Sequence, residues 1–295
     1  MTGQGALAAA AGLAGLLAAG ACVAGTAYVA GIWRDVTRPP RRGMGWALGQ
    51  GIAASPADLG LDFEERTVDA PGTSMPCWWI TGRGPADEVT VLLHGHGRSR
   101  WDSLRRVPGL ADRAGLVVLP DLRAHGDAPG RSSLARREAA DVCALLAEIE
   151  RERPGARITL AGHSLGAVVA IHAAAQREQA GAPLRRVVAW GPYERVRTPF
   201  ETRLRLRGLP AGPFAGIVLA ALERLDGPEL PTSASAARLH RTELEIHADE
   251  LDAVSPLRDA HAIAAARPGA RVHASRGVAH ADLGVPGASG VRVQA

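Results

Sequence analysis

Lysine is absent from this 295-residue chain, and all 34 basic side chains are arginine. Together with abundant alanine and 35 glycines, that absence reads as high-GC coding bias rather than a device of the protein. Cysteine is scarce. Cys22, Cys77 and Cys143 are odd in number and scattered, which excludes a disulfide framework and any zinc-type spacing. Aromatic residues make up only 4% of the chain. No basic stripe is interleaved with them, and the net charge is a modest +4, so no nucleic-acid partner is expected. No charged side chain occurs between Met1 and Trp33. Internal repeats are absent.

That uncharged opening is the first positive signal. Gly5 to Trp33 is a 29-residue run, mostly Ala and Gly with Leu13, Leu16, Leu17, Val23, Tyr28, Val29 and Ile32. A helix needs ~20 residues to cross a bilayer, so the segment 1–33 reads as a membrane span, with Tyr28 and Trp33 near an interface. A cleaved secretory signal is the alternative. Against it, Met-Thr-Gly-Gln supplies no basic start. Ala19-Gly20-Ala21-Cys22 is a poor lipoprotein match, and a buried Ala-rich helix is a further reading. Arg34, Arg38, Arg41 and Arg42 follow the run and none precede it. The positive-inside rule then predicts a single-pass protein of the cell membrane with its main domain in the cytoplasm. Pro39-Pro40, Gly43 and Gly45 predict a linker over 34–58. The remainder, 59–295, is long enough for one sizeable core.

Past the linker, strand and helix signals alternate. Glu64–Val68 and Cys77–Ile80 predict a hairpin across Asp69-Ala70-Pro71-Gly72. Val89–Leu93, Leu116–Pro120, Ile158–Ala161 and Arg186–Trp190 predict strands. Helices are expected over Trp101–Ala114, Arg136–Glu152 and Leu165–Arg177. Continuous apolar strands with helices between them imply a mostly parallel sheet covered on both faces. The rhythm breaks over 191–242, where Arg195, Arg197, Arg203, Arg205 and Arg207 precede an apolar run from Phe214 to Leu222. These arginines could meet anionic substrates or lipid; a solvated face is the plainer reading. After His280 only 15 residues remain, and they carry no convincing final helix.

Gly162-His163-Ser164-Leu165-Gly166 lies between the strand at Ile158–Ala161 and an apolar helix. A serine on such a turn presents its hydroxyl above the sheet, and small residues at both glycine positions permit the tight approach. With 35 Gly and 12 Ser in the chain, roughly 0.17 such matches arise by chance, so the turn carries weight only with partners. Upstream, a strand runs into His94-Gly95-His96-Gly97. Downstream, Glu243–His247 leads to Asp249 and to Asp252-Ala253-Val254-Ser255-Pro256. Last come Arg271–Ala274 and Gly277-Val278-Ala279-His280. In this order, over about Phe63 to Leu283, the chain resembles the α/β-hydrolase superfamily of serine esterases, lipases, thioesterases and peptidases.

The resemblance implies an α/β-hydrolase fold, a helical lid over 191–242, and a Ser-His-Asp triad of Ser164, His280 and Asp252, with Asp249 as the alternative acid. It implies an oxyanion hole from the backbone amides of His96 and Leu165 and a small-molecule acyl substrate cleaved through an acyl-enzyme. Acyl transfer, peptidase action and a non-catalytic scaffold are the rival readings. No cofactor is expected. His94, His96 and His125 could suggest a metal, but His-Gly suits an oxyanion loop and no ligand spacing supports one. Asp121-Leu122-Arg123-Ala124-His125-Gly126 resembles a loop common in this superfamily and reads as structural or pocket-lining rather than catalytic. The substrate-binding residues are not legible.

Overall fold

A computed structural model describes residues 3–288 and 291–293 of the chain. Its centre is a nine-stranded sheet built from β1 (Phe63–Ala70), β2 (Thr73–Thr81), β3 (Glu88–Leu93), β4 (Leu116–Pro120), β5 (Arg157–His163), β6 (Arg186–Trp190), β7 (Glu243–Asp249), β8 (Arg271–Arg276) and β9 (Val291–Val293). The strand order is β1-β2-β4-β3-β5-β6-β7-β8-β9. β1, β2 and β9 run antiparallel to their neighbours, and β3 to β8 are parallel. This is the α/β-hydrolase architecture the motifs implied. The central strands are apolar throughout because both faces are covered. Val89, Val91 and Leu93 enter the core on one face and Leu92 the core on the other, as the two-residue strand period requires.

The two faces are covered unequally. One carries the 15-residue helices Glu138–Glu152 and Leu165–Gln179. The first presents Val142, Leu145, Leu146 and Ile149 to the sheet, all fully buried. The other face receives short pieces and tryptophans, with Trp78, Trp101 and Trp190 at its centre. The helix expected over Trp101–Ala114 is here corrected to three fragments: Arg100–Ser103, a 3-10 turn over Leu104–Arg106, and Val107–Ala111. Pro108 explains the break, because its ring cannot continue a helix that has already begun. Between β8 and β9 the described residues hold a 3-10 turn at His280–Asp282 and no further helix.

The N-terminal helix runs from Gly3 to Thr37. Its portion Ala14–Thr37 is long and apolar enough to cross a membrane. Leu16, Leu17 and Val23 are exposed, whereas Ile32 and Val36 enter the main core. The helix therefore outruns the expected span and docks by its last turns. Tyr28 packs edge-on against Phe214 with centroids 5.0 Å apart, and its hydroxyl donates to the Pro210 carbonyl. The stretch read as a linker is held onto the domain. Met44–Gly49 is helical, Trp101 Nε1 donates to the Ala54 carbonyl over 2.9 Å, and Ser99 Oγ donates to the Arg42 carbonyl over 2.6 Å. The segment 191–242 forms three helices, Arg197–Leu206, Gly212–Asp226 and Thr232–Ala236.

Candidate active site

Parallel strands end together, so loops that follow them converge at one rim. Ser164 follows β5, Asp252 follows β7 and His280 follows β8. Ser164 has φ +54° and ψ −114°, a conformation that L-residues adopt only when surroundings hold them there. Its amide donates to the Trp190 carbonyl over 2.8 Å, and its own carbonyl accepts from Ala167 and Val168. The two glycines of the turn are required by contact. A Cβ at Gly162 would lie 2.2 Å from the Gly166 carbonyl oxygen, and one at Gly166 would lie 2.4 Å from the Leu93 carbonyl oxygen.

The two aspartates of the loop after β7 have different partners. His280 Nδ1 lies 2.6 Å from Asp252 Oδ2. A carboxylate only accepts, so Nδ1 carries a proton toward Asp252. Asp252 is itself held by the amides of Val254 and Ser255, which donate to Oδ1 over 2.8 and 3.0 Å. Asp249 does other work. It accepts from the amides of Leu251 and Val278 and from the Ser275 hydroxyl, so it ties the loop after β7 to the loop that carries His280. Burial works to raise its pKa, yet the donated amides prevail and hold it below the usual carboxylate value.

His280 reaches the neighbourhood of Ser164 through Trp190 and Gly191. Trp190 binds the Ser164 amide, and Gly191, at φ +59°, turns against the imidazole. A Cβ at Gly191 would approach Cε1 of His280 to 3.2 Å. Among the described residues no hydrogen bond joins Ser164 Oγ to His280; its Nε2 is buried and unpartnered. Such bonds are often long in unliganded hydrolases and tighten with substrate. His163, beside Ser164, donates from Nε2 to the His280 carbonyl over 2.7 Å. Burial, then the charge of Arg106, holds His163 well below the ordinary histidine value, so it stays neutral and anchors the His280 backbone. Sequence reading missed this residue, because its partner lies 117 positions away and nothing local signals it.

The Leu165 amide opens the helix after Ser164 and the His96 amide lies in the loop after β3. Neither donates to another described group. Leu165 and His96 both line a small apolar cup with Ser164, Val36, Leu134 and Phe200, of about 50 Å³. His94, His96 and His125 cluster at ring distances of 5.1 and 5.3 Å. Each ring has a protein partner: His94 donates from Nδ1 to Gly95 O and accepts from the Leu122 amide at Nε2, His96 donates to Val36 O, and His125 donates to Arg123 O. Burial lowers them to about 4, 3 and 3 respectively, so all three are neutral. Asp121 is bound into the loops around it. Its carboxylate takes the Arg100 guanidinium and amide and the Asp127 amide.

Among the described residues, Glu245, His247 and His273 bring three ligand-type atoms within 4.8 Å. The carboxylate already faces Arg186 and Arg271, a poor setting for a cation.

Comparison with known proteins agrees with this architecture. The sequence model of the alpha/beta hydrolase family matches residues 90–288. Two curated relatives match over shorter stretches. The magnesium-chelatase 30 kDa subunit of Rhodobacter capsulatus is 35% identical over 100 residues, 33% of this chain and 34% of that protein. Human protein ABHD12B is 31% identical over 131 residues, 43% of this chain and 35% of that protein. The aligned stretch thus spans about a third of each relative's length. Among solved structures, the Pyrococcus furiosus esterase Pf2001 superposes with a TM-score of 0.64 at 19% identity, covering 83% of this chain and 90% of that one. An esterase of Thermogutta terrifontis gives 0.55 at 18% identity, covering 75% and 93%. At these identities the likeness to solved structures speaks for the fold. With a family match over more than half its length, and the strand order and strained serine turn described above, this chain belongs to the α/β-hydrolase family.

Proposed function

We propose that the protein is a serine hydrolase of esters or thioesters that works through an acyl-enzyme. The observation that carries this reading is the 2.6 Å pair of His280 Nδ1 and Asp252 Oδ2, with the opposite ring nitrogen buried and unpartnered. In this scheme Ser164 Oγ attacks the acyl carbonyl while His280 Nε2 takes its proton. The carbonyl oxygen gains charge and is stabilised by the amides of Leu165 and His96, each of which contributes about 3 kcal/mol to such a barrier. His280 then returns the proton to the leaving alcohol or thiol, the C–O or C–S bond breaks, and water repeats the sequence on the acyl-enzyme. Asp252 keeps the imidazole in the right tautomer and stabilises its protonated form.

The apolar helix supports membrane attachment, with the catalytic domain on the side of Arg34, Arg38, Arg41 and Arg42. The segment 191–242 serves as the lid, since Tyr193, Val196 and Phe200 cover the cup beside Ser164.

A fluorophosphonate probe tests the assignment. Covalent labelling is expected, and Ser164→Ala abolishes it together with turnover of p-nitrophenyl butyrate. Folded protein that takes no label would leave a binding scaffold as the better reading.

A further inference from the structure

We infer that the leaving-group side of this site binds a phosphate-bearing alcohol or thiol. The inference rests on the serine-hydrolase reading above. His280 must hand its proton to the departing atom, so the leaving group lies on the His280 side, which leaves the cup beside Ser164 for the acyl group. The space on the two sides differs. The acyl cup holds about 50 Å³, whereas the cavity floored by Gly95, His163 and His280 holds about 370 Å³.

That larger cavity is walled by four guanidiniums, Arg42, Arg98, Arg203 and Arg207. They come from three separate stretches of chain, so no single sequence run accounts for them. The compensating acids are few. Asp35 lies 3.9 Å from Arg207, and Asp102 lies 3.8 Å from Arg98 while also facing Arg106 at 3.6 Å. Among the described residues no carboxylate lies within 4 Å of Arg42 or Arg203. Trp46 stands beneath Arg42 and Arg98, 4.7 and 5.4 Å from its ring centroid, which holds both cations in place before any ligand arrives. Burial lowers Arg42 and Arg203 from the usual guanidinium value, and the neighbouring charges of Arg98 and Arg207 push each further down. Gathering like charges around a half-enclosed space costs stability unless an anion enters it. A carboxylate occupies one guanidinium bidentately, whereas a phosphate offers oxygens to several at once. Arg203 lines the acyl cup as well as the cavity, so the bound phosphate lies a few bonds from the scissile carbonyl.

A matched pair of substrates tests this. The full-length protein in detergent is assayed with glycerol monobutyrate and with its 3-phosphate, and kcat/KM is compared. Charge-assisted hydrogen bonds lead us to expect a preference of at least about tenfold for the phosphate ester, shrinking as salt rises. The double variant Arg203→Gln/Arg207→Gln brings the ratio close to one, while Arg205→Gln, on the same helix but outside the cavity, leaves it unchanged. Thermal melts of each variant exclude misfolding. A second arm presents a lipid-borne phosphate leaving group in a bilayer, as 2-butyryl-1-alkyl-glycero-3-phosphate beside 2-butyryl-1-alkyl-glycerol in phosphatidylcholine vesicles. Faster turnover there assigns the phosphate to lipid, and faster turnover in solution assigns it to a free metabolite. A preference below about threefold in both arms, with Ser164 still labelled by fluorophosphonate, overturns this inference alone. Absence of labelling and of turnover overturns it together with the hydrolase reading.

Discussion

His96 Nε2 donates to the main-chain carbonyl of Val36 over 2.9 Å, which ties the loop after β3 to the last turn of the N-terminal helix. The same turn supplies the Val36 side chain to the wall of the acyl cup and the Thr37 carbonyl to the Ser132 amide. The helix is therefore two things along its length. Residues 14–24 are exposed, and the last turns help to build the candidate site. Deleting Thr2–Gly20 is expected to leave kcat/KM for p-nitrophenyl butyrate in detergent within about threefold, whereas deleting Thr2–Thr37 lowers it about a hundredfold, the scale of losing one oxyanion donor. Equal activity of the two truncations would show that the helix is an anchor only.

Asp252 and Asp249 lie three residues apart on one loop, yet they predict opposite phenotypes. Asp252→Asn keeps a hydrogen bond to His280 but favours the wrong tautomer, so kcat should fall by about 10⁴ with little change in melting temperature. Asp249→Asn loses the charge on a carboxylate that accepts from two amides and a hydroxyl. About 2 to 4 kcal/mol of stability is expected to go with it. Steady-state kinetics and thermal melts on the pair separate the roles. Similar kcat losses with unchanged melting would contradict this division.

The sheet and the serine turn were legible because their signals are local. Continuous apolar runs at β3, β4 and β5 can only be buried strands, and Gly162 and Gly166 announce a close approach that the distances bear out. The motif already put Asp252 ahead of Asp249, and in the loop geometry it is Asp252 that faces the His280 ring. The break at Pro108 is a local signal that the sequence carries. What could not be read was every relationship at long range. The Val36–His96 bond spans 60 positions and the His163–His280 bond spans 117. The cavity of arginines draws on residues 42, 98, 203 and 207, so a linear reading of the 191–207 arginines found only part of it.

Acid should destabilise the fold through histidines that are buried neutral. His172 donates or accepts at Nδ1 with Ser235 Oγ over 2.7 Å, and burial lowers it to about 4. Above pH 6.5 neither folded nor unfolded His172 binds a proton, and its contribution is intact. Below 6.5 the unfolded chain takes up a proton that the folded chain refuses, so stability falls by about 1.4 kcal/mol per pH unit until about pH 4. His94, His96 and His125 act in the same direction. His163 adds to them, while Asp121, raised to about 6 by burial, and Asp141 and Glu229, also raised by burial, act in the opposite direction. Urea midpoints in detergent at pH 7.5 and pH 5 should show the loss. His172→Gln should shrink it by about 2 kcal/mol, and a variant as acid-sensitive as the parent would remove His172 from the account.

On the proposed hydrolase reading, the cup beside Ser164 sets an upper limit on acyl chain length. A space of about 50 Å³ accepts three to five water-sized groups at ~10–15 Å³ each. Acetyl and butyryl esters therefore fit with the lid as it stands, whereas octanoyl and longer esters require Phe200 and Val196 to move away from the cup. A series of p-nitrophenyl esters should show kcat/KM peaking at four carbons or fewer, with a fall of at least about tenfold by eight. Phe200→Ala removes part of the wall and should shift the optimum to longer chains while lowering stability, since Phe200 is buried in the main core. A parent enzyme that already prefers octanoate would mean that the helices of 191–242 open as a unit, and crosslinking Arg197–Leu206 to Gly212–Asp226 would then abolish the long-chain preference without touching acetate turnover.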